Sequence, residues 1–203
     1  MRCAAIASFA TVVLSACATT HVEEPSFTMA QTIADLEVRD YAPTVVAEVD
    51  MPGDALASRF SGFYPLADYI FAKDRAGAEI AMTAPVTQAP RETIAMTAPV
   101  TQQSDAGGWR IAFTMPASYS IATLPKPANP NVRLEEQPAR RMAVIRFSGT
   151  ADDAAMHKQS ERLLAAVSRA GMEAIGSPVF AFYDPPWTLA FFRRNEVMVE
   201  VRR

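Results

Sequence analysis

The sequence predicts an α+β fold of mostly antiparallel strands, and three observations predict it. Apolar residues alternate at period two in several short runs. Two longer runs carry apolar residues at spacings of three and four, the mark of an amphipathic helix. The order strand pair, helix, strands then occurs twice along the chain. Two such βαβ-type halves, a pseudo-twofold repeat, can pack their sheets into a distorted antiparallel β-barrel with two flanking helices.

The elements follow in order. Leu36-Glu37-Val38-Arg39-Asp40-Tyr41 alternates and reads as a strand; Thr44 to Val49 reads as a second, after Pro43. Met51-Pro52-Gly53 is a turn, and Asp54 can cap a helix running to about Phe71. Its inward stripe is expected to be Leu56, Phe60, Phe63, Ala67 and Ile70, with a kink at Pro65, which lacks a backbone donor. The nonapeptide Ile80-Ala81-Met82-Thr83-Ala84-Pro85-Val86-Thr87-Gln88 recurs unchanged from Ile94 to Gln102. Each copy alternates and reads as a strand, with Pro85 and Pro99 marking an edge or a bulge. A tandem duplication that adds a hairpin accounts for the pair. Trp109 to Met115, Val132 to Glu136 and Arg141 to Phe147 are further strands. Thr150 and Asp153 resemble a capping box opening a helix over about 151–170, with Met156, Leu163, Leu164 and Val167 inward and Gly171 as its stop. Val179 to Tyr183 and Arg194 to Val201 are the closing strands.

The chain has 203 residues, half of them apolar and a fifth charged, the balance of one globular domain with a core of its own. The formal net charge is −3, with no long Lys/Arg run and no interleaving of basic and aromatic residues. That excludes an electrostatic nucleic-acid binder. The N-terminus reads as an export signal over 1–16: Met1-Arg2, then an uncharged run from Cys3 to Leu14, too short to span a bilayer. Residues 14–17, Leu14-Ser15-Ala16-Cys17, resemble a bacterial lipobox, in which Cys17 is acylated and becomes the new N-terminus. Ala18 in the next position favours the outer membrane, so the expected location is the cell envelope, lipid-anchored and facing the periplasm. Residues 17–33 read as a tether and 34–203 as the domain.

Motifs of catalysis are missing from the sequence: there is no nucleophile elbow, no H-E-x-x-H, no phosphate loop and no dinucleotide fingerprint. His21 and His157 are the only histidines, and Cys3 and Cys17 leave no free thiol once the signal is cut and Cys17 is acylated. The expectation is a binding protein, with neither catalytic residues nor a protein-built metal site. Met82, Met96 and Met115 lie in strand-like runs and offer either core packing or soft thioether contacts to a ring. His157 reads as a solvated helix position with Glu161 one turn on.

Five segments then carry a likeness. They are Ile94-Ala95-Met96-Thr97-Ala98-Pro99-Val100; the strand ending Phe113-Thr114-Met115-Pro116; Leu124-Pro125-Lys126-Pro127; Phe147-Ser148-Gly149; and Tyr183-Asp184-Pro185-Pro186 with Arg193-Arg194-Asn195-Glu196-Val197. Together, in this order over roughly 36–201, they resemble the SOUL family of haem-binding proteins. The resemblance implies a distorted barrel of about eight strands with two helices. It implies a haem or related tetrapyrrole ligand near the first helix, with propionates on basic side chains. Carried onto this chain, the cofactor-binding candidates are Arg59, Phe60, Phe63, Tyr64 and Met96, with Lys73 and Arg75 just after the helix. The function so implied is a membrane-tethered tetrapyrrole carrier. The alternative is an envelope interaction protein using the same fold without haem.

Overall fold

The computed structural model describes residues 22–73, 75–90, 108–185 and 187–202. Their elements are β1 (Phe27–Ile33), β2 (Leu36–Tyr41), β3 (Thr44–Met51), α1 (Ala55–Ile70), β4 (Val86–Pro90), β5 (Trp109–Thr114), β6 (Arg133–Gln137), β7 (Arg140–Phe147), α2 (Asp153–Arg169), β8 (Glu173–Phe182) and β9 (Asn195–Arg202). A short 3₁₀ turn, Ala190–Phe192, lies between β8 and β9. All nine strands form one antiparallel sheet in the order β1-β2-β7-β9-β8-β4-β5-β3-β6. The α+β class is therefore met, but the sheet of the described residues is open, with β1 and β6 as its two ends, rather than a closed eight-stranded barrel.

Three differences from the sequence reading have simple causes. β1 arises inside the segment read as tether. Its residues are all exposed, and it exists because a tight turn at Ala34 (φ +53°) folds it back onto β2. The first nonapeptide copy is not one strand: Ile80 drops into the core, and only Val86 onward joins the sheet. Pro85 marks no edge, since β4 is paired on both sides and the proline stands just before its first ladder residue. The second copy, 94–102, lies outside the described residues.

Register shows that both helices cover one face. Ala47, Phe113, Val86, Phe182, Asn195 and Phe147 stand in one row across six strands. α1 packs Leu66, Tyr69 and Ile70 on Ala47, Val49, Ile111 and Phe113. α2 packs Met156, Leu163 and Val167 on Leu36, Val38, Ile145, Val197 and Val199. Leu164, expected inward, is exposed, and Ala166 takes the buried place. The cap of α2 is Asp152, which accepts from Ala155 N–H at 2.9 Å; the neighbouring Asp153 reaches across to Ala55 N–H, at the start of α1, at 3.1 Å.

α1 itself is rotated from the predicted stripe. Its buried residues are Ala55, Ser58, Gly62, Leu66, Ala67, Tyr69 and Ile70, which leaves Leu56 and Phe60 outside. Gly62 sets this angle. A Cβ placed there would stand 2.6 Å from Ile111 Cγ1, so only glycine lets the helix lie so close to β5. The helix runs unbroken through Pro65. The carbonyl four residues back that loses its donor belongs to exposed Ser61, where water replaces it.

The second face has no helix over it, yet Arg39, Val144, Ala181 and Glu196 are all at or near zero exposure. The ring of Phe27 lies 4.5 Å from the Arg39 guanidinium, and Met142, Val144, Ala181 and Met198 pack with Tyr41, Val179 and Tyr183 on this face. Its centre is an ion pair. Arg39 donates to Glu196 through Nη1 at 2.8 Å and Nη2 at 3.1 Å. Tyr183 donates its hydroxyl to the same carboxylate at 2.9 Å, and Arg194 adds Nε and Nη2 at 3.2 and 3.1 Å. Burial opposes the charge on Glu196, but the Arg39 hydrogen bond and charge outweigh it, so the carboxyl sits below its usual range. Burial, then the Glu196 charge, push the Tyr183 hydroxyl up.

Two predictions follow from these contacts. Glu196→Gln removes the buried carboxylate of Arg39, leaving it only the more exposed Glu37 at 2.5 Å, and should cost up to about 3–5 kcal/mol in urea unfolding. Because the folded pKa of Glu196 lies below its unfolded value, its stabilisation is complete above about pH 4.3 and is lost as pH falls through the folded value. Acid should therefore narrow the gap between the two proteins. Gly62→Ala should cost about 1–3 kcal/mol in urea unfolding by overpacking, because the new Cβ meets Ile111 Cγ1 and Cβ.

Candidate functional site

α1 begins at Asp54, whose side chain accepts from Ala57 N–H at 2.8 Å. Its solvent face then carries Leu56, Phe60 and Tyr64, each four residues from the last. Phe60 is 45% exposed and Tyr64 67%. A surface helix ordinarily turns polar side chains this way, so an apolar stripe here has a use other than folding. Phe63 lies behind the stripe, its ring edge-on to Phe113 at 5.4 Å and to Tyr64 at 6.2 Å.

Arg59 stands beside the stripe. Its guanidinium lies 4.1 Å over the ring of Phe182, the last residue of β8. Its Nη1 is buried and has no hydrogen-bond partner. Burial, then the nearby charge of Arg193, lower its pKa to about 10, so it is still a cation at neutral pH. A buried guanidinium donor with no acceptor, close to a second arginine, is arranged to receive an anion.

The β8–β9 connection completes this side. Trp187, Leu189, Phe191 and Phe192 are 59–82% exposed, and the last two rings stack with centroids 4.3 Å apart. Backbone bonds hold the connection in shape: Gly149 N–H donates to Ala190 O at 2.8 Å and Phe192 N–H to Leu189 O at 2.9 Å. Arg193 donates to Thr188 O at 2.8 Å. The sequence reading passed over these residues, although Trp-Thr-Leu-Ala-Phe-Phe between Pro-Pro and Arg-Arg is a recognisable signal: an apolar run with too little length and alternation for a strand.

The structure thus brings together Arg59, Phe60 and Tyr64 on one surface, with Phe63 as backing. Met96 and Cys17 lie outside the described residues. Lys73 pairs with Asp68 at 3.6 Å, and Arg75 closes the end of α1 through Tyr69 O at 2.8 Å; neither basic group joins Arg59. Met115 is core, and Met82 is partly exposed. His157 lies in solvent on α2, 3.4 Å from Glu161. Among the described residues no three His, Cys, Asp or Glu side chains converge.

A cavity of about 510 Å³ opens elsewhere, between the segment Glu23–Ser26, the start of β3 and the ends of β5 and β6. Its size suits a small ligand. Its wall carries Glu23, Glu24 and Glu136 and no basic side chain, which opposes a ligand bearing carboxylates. Glu23 accepts from Ala117 N–H at 2.8 Å, and Glu24 pairs with Arg194 at 3.0 Å.

Comparison with known structures returns the fold. The chain is similar to EcmrR in its complex with DNA (10% identical, TM-score 0.61), over 83% of this chain and 57% of that one. It thus spans little more than half of that protein. It is similar to the isolated C-terminal domain of EcmrR (12%, TM-score 0.59, 83% and 97% covered). It is also similar to a protein from Listeria innocua described as a hydrolase (13%, TM-score 0.53, 83% and 92% covered). At such identities the likeness is one of fold alone. No curated protein matches the chain. The family model described as SOUL heme-binding protein matches residues 22–200, nearly all of the domain built above. The chain belongs to the SOUL heme-binding protein family.

Proposed function

We propose that this protein binds haem or a related tetrapyrrole on the outer face of α1, around Arg59. The observation that carries the reading is Arg59: a buried cationic donor without an acceptor, set beside an exposed apolar stripe. The residues fit the ligand. A tetrapyrrole presents a flat apolar face and ionised carboxylates. Leu56, Phe60 and Tyr64 offer apolar area to the first, and Arg59, with Arg193 near it, offers charge to the second. When bound, haem would supply its own iron chemistry. The protein's part is to hold the ring by apolar contact and its carboxylates by Arg59. Histidine ligation has no support on this surface, because the one described histidine, His157, sits on α2. The family is a binding family, and our reading is of a carrier and not an enzyme. Cys17 is acylated, and the protein works from the outer membrane, facing the periplasm. A second reading, an envelope interaction protein without haem, draws its support from the exposed rings of the β8–β9 connection.

A haem titration followed at the Soret band tests the reading. The unmodified chain should give a saturable, red-shifted band at one haem per chain; a spectrum equal to that with a non-binding control protein refutes the proposal and favours the second reading. Arg59→Leu removes a charge-assisted hydrogen bond worth about 1.5–3 kcal/mol, so the dissociation constant should rise roughly tenfold or more. Its urea midpoint should hold or rise, since Nη1 of Arg59 has no partner to lose. Phe60→Ser with Tyr64→Ser should weaken binding further, again with little change in stability.

A further inference from the structure

The four large apolar side chains of the β8–β9 connection are clustered in six residues, and the backbone bonds described above fix them outward. Such a patch is not left to water without a partner. Its surroundings identify the partner. At the base of the connection Arg194 holds Glu24 through Nη1, at 3.0 and 3.1 Å to the two carboxylate oxygens. That pair ties the N-terminal chain to Arg194, two residues after Phe192, and Glu23 continues outward along Ala84 and Ala117. Cys17 is seven residues before Glu24. Seven residues at full extension span at most about 25 Å. An acyl group on Cys17 therefore keeps the foot of this connection within that distance of the bilayer.

We propose that Trp187, Leu189, Phe191 and Phe192 insert into the headgroup region of the membrane to which the chain is anchored, a partner that is a lipid bilayer. The composition fits that occupant. Tryptophan and phenylalanine settle at the boundary between headgroups and acyl chains. This inference rests on the anchoring stated above and is independent of haem. It gives the domain a fixed orientation, with Arg59 and the α1 stripe close to the lipid surface.

The test uses the full acylated chain, without haem, in vesicles of phosphatidylethanolamine and phosphatidylglycerol. The signal of Trp187 is the difference between the unmodified protein and Trp187→Phe, so partly buried Trp109 cancels. Lipids brominated near the headgroup end of the acyl chains should quench that signal by more than half, and aqueous iodide should lose its access to it. Phe191→Ser with Phe192→Ser should reverse both effects. A Trp187 that stays open to iodide and unquenched by brominated lipid overturns the insertion, while the mass of the acylated N-terminal residue shows that the anchor is present. A chain recovered without an acyl group refutes the anchoring instead. The same quenching, read after adding vesicles to that chain, then decides the insertion on its own: quenching supports it and its absence overturns it.

Discussion

The ion pair between Arg39 on β2 and Glu196 on β9 is the constraint on which the rest of this structure depends. The two helices cover a single face of a nine-stranded sheet, so the other face must find its own cover. It does so with its own side chains, Phe27, Tyr41 and Tyr183 among them, and a guanidinium and a carboxylate lie there where water does not reach. Neither charge is tolerable there alone. Each defines the position of the other, and with them the register of β2, β7 and β9. Tyr183 and Arg194 complete the carboxylate's shell, and Arg194 extends the chain of contacts to Glu24 at the N-terminal end of the described domain.

The same economy of cover explains the candidate site. α1 lies on β3 and β5 through Gly62, and the closeness of that approach fixes which residues turn inward. Small residues take the inner face of its first half, and Leu56, Phe60 and Tyr64 are left outside. Arg59 falls at the border, where Phe182 supports its guanidinium but no acceptor meets Nη1. The N-terminus of α1 is in turn held by Asp153 of α2, so the second half of the chain positions the binding surface of the first.

Much of this was legible in the sequence, for reasons that can be named. Strands β2, β3, β5, β7 and β9 were legible from short runs rich in apolar and β-branched residues, and α2 carries its helical stripe and ends at Gly171. The family likeness named Arg59, Phe60, Phe63, Tyr64 and Met96; the first four lie on α1, and Met96 lies outside the described residues. What was not legible depended on partners distant in sequence. β1 has no buried face, so it leaves no alternation to read. The inward face of α1 was misjudged because large apolar residues were given to the core, whereas a glycine set the contact. The rings at 187–192 went unread since apolar residues in a turn obey no period. The burial of Arg39 and Glu196 joins side chains 157 positions apart in the chain, which no local pattern encodes.

The repeated nonapeptide has a consequence for the uniqueness of the native state. In the first copy Ile80 fills the core, Thr83 donates to Thr114 O, and Gln88 donates to Ala55 O at 2.8 Å. The second copy holds Ile94, Thr97 and Gln102 at the matching places. The side chains that β4 and its approach use are therefore written twice in the chain, in the same order and at the same spacing. A gene that duplicates a strand in place thus writes a degenerate address into its own fold.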